Sequence, residues 1–382
     1  MGELAAKADA LHDEIASAAG DIESARRLPA ELSHKFAESG FYRCLVASEH
    51  GGLEVHPLEF VDLVKRVSMA DGSAGWNVMI GATTGLLSAS LPASFANEIY
   101  AADPNTMTVG VTAPLGRAEV TVDGYRVTGR WPFGSGSQNA AWICGGCFVY
   151  DNDVQRVDER GAPEIHLMMF EAGQVEIEDT WRVSGLRGTG SHHFHVTDAF
   201  VPDGRSVVLG SRSRVRRPLY QFPMLGLLAL GVSSVSLGIG CAALEAFLEL
   251  AGAKKPTGSN RALAERALVQ SEVARATAAL RSAEAFMKEA ITEAWSIAQA
   301  GERLSARIKA NLRLAAANTT HASVSAVDRL YQCGGGSSIY ESSVLQRCFR
   351  DVHVTTQHIM VADPIFEVVG RVELGLPARS ML

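Results

Sequence analysis

No proline falls between Pro256 and Pro364. A run of that kind can hold helices many turns long, because proline removes a backbone donor and clashes with the preceding turn. Within it, Val273, Thr277, Leu280, Glu284, Met287, Ile291, Ala294 and Ala298 keep helical spacing and are mainly apolar. Leu304, Ile308, Leu312 and Ala315 begin another helix. Upstream, Phe222 to Leu250 is the segment nearest to a membrane span. Its four glycines (Gly226, Gly231, Gly238, Gly240), three serines and Glu245 favour a helix buried among others instead. Four long helices with short links predict a four-helix bundle over residues 209–382.

The period changes upstream. From 106 to 208 it is two: Val120-Thr121-Val122 and Tyr125-Arg126-Val127 flank Asp123-Gly124, a hairpin signal. Trp142 to Tyr150, His166 to Phe170, Val175 to Ile177 and His193 to Phe200 also read as strands, which predicts a small antiparallel barrel or sandwich. Residues 1–105 return to helical spacing, with Pro29 at a helix start and Gly40 as a stop. The fold class expected is α+β, in three domains: 1–105 helical, 106–208 a β-barrel, 209–382 a helical bundle.

Composition narrows the function. Hydrophobic residues are 47% and charged residues 20% of the chain, as in an ordinary soluble protein. A net charge of -7 argues against a general nucleic-acid surface. The first 30 residues mix acids and bases without an apolar stretch, so a cytoplasmic protein that needs no membrane is expected. Six scattered cysteines are read as free thiols.

Four segments, in order, carry a resemblance. They are Ala70-Asp71-Gly72-Ser73-Ala74-Gly75-Trp76, Gly110-Val111-Thr112-Ala113-Pro114 with Gly116, Gly129-Arg130-Trp131-Pro132-Phe133-Gly134-Ser135-Gly136, and Trp181 through Ser191 with its Gly185-Leu186-Arg187-Gly188-Thr189-Gly190-Ser191 loop. Phe200-Val201-Pro202 follows as a strand exit. Together they resemble the acyl-CoA dehydrogenase superfamily, in its branch of two-component, group D flavin-dependent monooxygenases, over nearly the whole chain. The resemblance implies a helical domain, a central antiparallel β-barrel and a C-terminal four-helix bundle.

It also implies a reduced flavin, FADH2 or FMNH2. A flavin ring is flat and amphipathic and needs an apolar wall, an aromatic neighbour and a few hydrogen bonds to its N and O edge. Trp131, Phe133 and Ser135 alternate along a strand and are expected to share one face, with Gly134 and Gly136 admitting close backbone approach. Thr112, Ala113, Arg187, Thr189 and Ser191 are carried over as further flavin contacts. The family sets a hydroxyl like that of Ser135 near flavin N5, where it steadies a C4a-hydroperoxide. Gly335 and Gly336 lie in the Gly334-Gly335-Gly336-Ser337-Ser338 loop, which either touches the flavin of a neighbouring subunit as a nest of N–H groups or is a plain interhelix turn. The arginines at 205, 212, 214, 216 and 217 form a basic cluster that reads as a flavin-phosphate site or as a solvated loop.

The reaction turns on a missing base. Oxidation of an acyl-CoA needs a carboxylate at the α-carbon, which the superfamily supplies from the C-terminal segment or the first long bundle helix. Here Arg350-Asp351 is followed by His358, with no acid before Asp363, and none occurs from Gly204 through Leu244. Histidine has an ordinary pKa of ~6.5 and suits orienting or deprotonating a phenol, indole or amine. His358 and Ser135 are therefore the candidate catalytic residues. Trp76, Asn77, Thr84 and His358 are the candidate substrate contacts, in a mostly apolar pocket that favours a compact aromatic.

The expected function is the oxygenase component of a two-component monooxygenase, in which C4a-hydroperoxyflavin hydroxylates an indole- or phenol-like substrate with O2. Its partners would be a separate NAD(P)H:flavin reductase and copies of itself in a homotetramer. One alternative is an acyl-CoA dehydrogenase with its base relocated to Glu245, Glu249 or Glu367. Others are an N- or S-oxygenase on the same fold and a flavin carrier without activity. Cys144-Gly145-Gly146-Cys147 is strand-like and lacks a second pair with zinc spacing. His192-His193-Phe194-His195 has no accompanying carboxylate cluster, so no metal is expected.

Overall fold

The computed structural model describes residues 2–380 apart from 160, 257 and 259, so the outer limits at 1 and 382 lie outside the described residues. The chain opens with helices α1 (Glu3–Ala10), α2 (His12–Ala25), α3 (Ala30–Glu38), α4 (Pro57–Ala70), α5 (Gly72–Thr84) and the short α6 (Ala93–Ala96). Two of these starts are written in local chemistry. Pro57 takes the first position of α4, where a missing N–H costs nothing, and the His56 imidazole accepts the Leu58 N–H at 3.0 Å. The Asp71 carboxylate accepts the Ala74 N–H at 2.9 Å and so caps α5.

The middle of the chain is one sheet of β1 (Thr108–Thr121), β2 (Gly124–Gly134), β3 (Trp142–Asp151), β4 (Val154–Gln155), β5 (Ile165–Glu171), β6 (Glu176–Glu178), β7 (His192–Pro202) and β8 (Ser206–Val208). Its order is β6-β7-β2-β1-β3-β5-β8, with β4 on β3. This corrects the expected closed antiparallel barrel. Among the described residues β6 and β8 are the ends of an open path, and β1 pairs with β3 in parallel. The cause is the link from β2 to β3, which carries the chain past β1 to its other edge. The hairpin is real, but its turn is Val122-Asp123, because Thr121 pairs with Gly124. Gly124 is needed for close approach, since a Cβ there would collide with the Val201 carbonyl of β7.

Three of the four long helices expected at the C-terminal end are long: α8 (Met224–Ala253), α9 (Ala267–Gln299) and α10 (Ala306–Gly334), after a short α7 (Pro218–Gln221). The fourth, α11 (Val344–Thr355), has 12 residues and is followed by α12 (Pro364–Glu373). α10 packs on α8 and α9, and α11 on α8 and α10. α8 is long and apolar enough to cross a membrane, yet 78% of its most apolar stretch is buried inside the protein. Over that stretch it is apolar on every face because nearly every face is covered, and only its C-terminal turns, with Glu245 and Glu249, meet solvent. One polar contact on it positions the C-terminal segment. The Ser236 hydroxyl donates to Thr355 Oγ1 at 2.9 Å, and Thr355 Oγ1 donates to the Val352 carbonyl at 2.7 Å, which pins the end of α11 to α8. That fixes where the chain turns toward His358.

Candidate active site

A cavity of about 490 Å³ lies between the sheet, α5, the start of α8 and the turn after α11. One wall is drawn from strands and the loop before β7, with Val111, Ser135, Thr189 and Ser191. The other is drawn from helices, with Ile80, Leu225 and Leu228, and His358 closes it. Among the described residues no aspartate or glutamate lines the cavity. Glu245, Glu249 and Glu367 are all exposed, and none reaches it.

The strand wall carries a chain of hydroxyls. The Trp76 indole N–H donates to Ser135 Oγ at 3.1 Å. Ser135 Oγ is 2.6 Å from Ser191 Oγ, which is 2.7 Å from Thr189 Oγ1. Thr189 Oγ1 donates to the Leu186 carbonyl at 2.9 Å. Ser135, Ser191 and Thr189 are 6%, 3% and 2% exposed, so each hydroxyl must be satisfied within the chain. The loop that ends this chain of hydroxyls is clamped by α11. The Asp351 carboxylate accepts the Leu186 N–H at 2.6 Å, the Arg350 guanidinium donates to the Ser184 carbonyl at 2.7 Å, and a Cβ at Gly185 would collide with the Arg350 carbonyl. Burial, and next the negative charge of Asp71, push the Asp351 carboxyl up to about 7. The Arg350-Asp351 pair thus builds the loop under the site.

Trp131 does not face the cavity. Its ring is fully buried and stacks on Phe194 at 5.1 Å, and its N–H donates to the Gly146 carbonyl at 2.8 Å. It fills the space left by Gly116, Gly129 and Gly145, where any Cβ would strike it. The expected alternation fails because the β2–β7 register slips between Trp131 and Gly134, and Phe133 adopts φ +65°. That bulge turns Phe133 and Ser135 to the cavity and leaves Trp131 in the core. Phe133 is 64% exposed at the rim, edge-on to Trp181 at 6.2 Å. Gly134 is buried against Phe194 and does not line the cavity.

His358 lines the same cavity as Ser135, and both touch Trp76: the His358 ring is edge-on to the indole at 5.6 Å, and Ser135 accepts the indole N–H. Its Nδ1 accepts the Met360 N–H at 3.3 Å, which leaves the proton on Nε2. Burial, and then the positive charge of Arg313, hold it down to about 4. At neutral pH His358 is therefore a neutral hydrogen-bond donor, which favours the orienting role over the deprotonating one. Arg313 is itself buried, and one of its NH2 groups donates to the Met360 carbonyl at 3.1 Å, holding the turn from behind.

The remaining predicted residues divide. Trp76, Thr84, Thr112 and Ala113 line the cavity. Thr112 and Ala113 lie where the β1–β3 register shifts, and their carbonyls face Gly146 of β3, so it is their side chains' edge of the strand that borders the cavity. Asn77 is fully buried behind the wall, and its NH2 group donates to the Ser73 and Gly188 carbonyls. Arg187 lies beside Glu23 outside the cavity. Gly335 lines a separate groove between α9 and α10, and neither it nor Gly336 reaches the cavity within one chain. Two arginines of the basic cluster are held by carboxylates: Arg205 by Glu98 and Glu171, and Arg217 by Glu49 and Glu54. Cys144 lines the cavity, while Cys147 points to the opposite core near Gly116. His195 pairs with Glu176 and Glu178.

The arrangement fits a flavin. It has an apolar space, hydroxyls at Ser135 and Thr112 to meet a polar edge, and an aromatic rim at Phe133. Leu225, Leu228, Ile80 and Met360 complete it, and sequence reasoning does not single them out. Leu225 and Leu228 lie in a run where every neighbour is equally apolar, and nothing local marks them.

The chain is similar to known proteins over nearly its whole length. Residues 4–99 match the family described as acyl-CoA dehydrogenase, N-terminal domain, and residues 230–363 the family described as acyl-CoA dehydrogenase, C-terminal domain. The chain is 33% identical to an indole-3-acetate monooxygenase of Pseudomonas putida, over 93% of this chain and 90% of that one. Among solved structures, XiaF from Streptomyces sp. in complex with FADH2 and glycerol superposes with a TM-score of 0.92 at 26% identity, covering 99% and 96% of the two chains. The 3-HSA hydroxylase from Rhodococcus sp. RHA1 superposes with a TM-score of 0.90 at 25% identity, covering 98% of each. The chain belongs to the acyl-CoA dehydrogenase superfamily, in its branch of flavin-dependent monooxygenases.

Proposed function

We propose that this protein is the oxygenase component of a two-component monooxygenase that takes reduced flavin from a separate reductase and hydroxylates a compact aromatic of the indole or phenol type. The observation that carries this is a cavity without a carboxylate, lined by neutral His358 and by the Ser135 hydroxyl chain. Reduced flavin, when bound, supplies the electrons that activate O2 for transfer of one oxygen atom to the substrate. Ser135, with Thr112 and Ala113 beside it on the cavity wall, would hold its ring. The Ile80, Leu225 and Leu228 wall excludes water, which protects a reactive oxygen species from unproductive loss. His358 Nε2–H donates to an oxygen of the substrate or of the oxidant and fixes their mutual orientation. The monooxygenase from Pseudomonas putida acts on indole-3-acetate, and a flat aromatic of that size suits this volume. A homotetramer in the cytoplasm, in which the Gly335-Gly336 loop meets a neighbour's flavin, completes the proposal.

Stopped-flow absorbance tests it. Protein mixed anaerobically with reduced FAD or FMN, then with oxygenated buffer, should give a long-lived transient distinct from both reduced and oxidised flavin. Addition of an indole or phenol should speed its decay and yield hydroxylated product. Immediate reoxidation to free flavin, with no transient, would remove the monooxygenase reading.

A further inference from the structure

The hydroxyl chain has a direction. The Leu186 carbonyl can only accept, so Thr189 commits its one hydroxyl hydrogen there, at 2.9 Å. Thr189 Oγ1 must then accept from Ser191, at 2.7 Å, and Ser191 in turn must accept from Ser135, at 2.6 Å. At the other end the Trp76 indole N–H, a donor only, occupies one lone pair of Ser135 Oγ at 3.1 Å. All three residues are at least nine-tenths buried. Reversing the chain would give up the Thr189 bond to the Leu186 carbonyl. That carbonyl also accepts the Thr189 backbone N–H at 3.2 Å and the Trp181 indole N–H at 3.1 Å, and the Leu186 N–H on the Asp351 carboxylate at 2.6 Å fixes its peptide, so it stays within reach of the Thr189 hydroxyl.

We propose that this one-way chain makes Ser135 an acceptor toward the cavity, and that Thr189 and Ser191 thereby act as positioning residues that favour reduced over oxidised flavin. The proposal rests on the reading that Ser135 meets flavin N5. Reduced flavin carries a hydrogen on N5, which the remaining lone pair of Ser135 accepts. Oxidised flavin presents a lone pair at N5, and two lone pairs face each other unless the whole chain turns over. The difference is one ordinary hydrogen bond, about 5-fold in affinity. The consequence is loading of reduced flavin and release of oxidised flavin after each turnover, through a group that takes no part in the electron transfer.

The test is a pair of titrations on the full chain, anaerobic with reduced FAD and FMN and aerobic with the oxidised forms, followed by flavin fluorescence and equilibrium dialysis. Ser191→Ala frees the Ser135 hydroxyl to donate. The ratio of the oxidised- to the reduced-flavin dissociation constant should then fall about 5-fold, whatever the variant does to both affinities alike. Thr189→Val, close to isosteric, should move the ratio of the two dissociation constants in the same direction. Thermal melts of each variant establish that it is folded. An unchanged ratio in both folded variants overturns the chain as the cause. Ser135→Ala separates the directional proposal from the reading beneath it. If it weakens reduced-flavin binding while the other variants leave the ratio alone, only the directional proposal fails. If it changes neither affinity, Ser135 does not meet the flavin and both fail.

Discussion

The two walls of the cavity are built by opposite means. The strand wall places its polar atoms through a relay of hydrogen bonds: Ser135 on its bulge, and Thr189 and Ser191 two residues apart on the facing loop. The helix wall meets the cavity with the apolar side chains of Ile80 of α5 and Leu225 and Leu228 of α8, and its hydrogen bonds, Ser236 to Thr355 and Arg313 to Met360, lie behind it and hold the turn after α11. A hydrogen-bonded wall is specific and brittle, since one missing partner leaves a buried polar group unsatisfied. An apolar wall tolerates exchange of similar volumes and is sensitive mainly to size.

The largest effect is expected from breaking the strand wall at its foundation. Trp131→Ala should destabilise the fold by about 3–5 kcal/mol, because it empties a fully buried site among three glycines; a denaturant melt measures it. Trp131→Phe should leave flavin affinity unchanged, and a large loss would mean the ring touches the cofactor after all. Next, His358→Ala should lower hydroxylation about 100-fold, in the range for removal of one preorganised donor, with flavin affinity unaffected. His358→Gln keeps an N–H donor and should recover part of the rate in a product assay. On the helix wall, Leu225→Phe should raise the substrate KM about 10-fold by taking up volume while leaving flavin binding alone; an equal loss of flavin affinity would show that the walls do not divide the labour.

Two smaller effects sharpen the comparison. Asp351→Leu should cost about 1–3 kcal/mol by leaving the Leu186 N–H without an acceptor, whereas Asp351→Asn keeps an oxygen there and should cost little. The pH dependences have opposite signs. The folded His358 pKa, about 4, lies below the ordinary 6.5, so the unfolded chain binds the extra proton between them. Stability therefore falls as pH drops through that window. The folded Asp351 pKa, about 7, lies above the ordinary 3.8, so its contribution is full below about 4 and is lost as pH rises through 7. Stability measured from pH 4 to 8 should lose the first slope in His358→Gln and the second in Asp351→Asn.

Much of the site is legible in the sequence because its chemistry is local. A hydroxyl, an indole and a histidine stand out against an apolar background, and the absence of acids around His358 already argues against a dehydrogenase. The failures are as informative. Residue type and spacing assign Trp131 and Asn77 to the site, yet a single register slip and the depth of α5 put both behind it. Arg350-Asp351 reads in sequence as the leader to a catalytic base, and in the fold it is the clamp under the Leu186 loop.

The sequence by itself determined the order of helical, stranded and helical regions, since proline placement and apolar period act within a few residues. It also determined the chemical poverty of the site, since no acid is present nearby to supply a base. The tertiary structure alone decided that the sheet stays open with β1 and β3 parallel, which leucines of α8 meet the cavity, and which nitrogen of His358 carries its proton. The sheet order and the cavity-facing leucines depend on contacts between residues far apart in the chain, and the His358 proton on the turn that α8 and Arg313 hold in place. A side chain's facing and a proton's position are set by the partner that arrives, and local spacing carries no information about that partner.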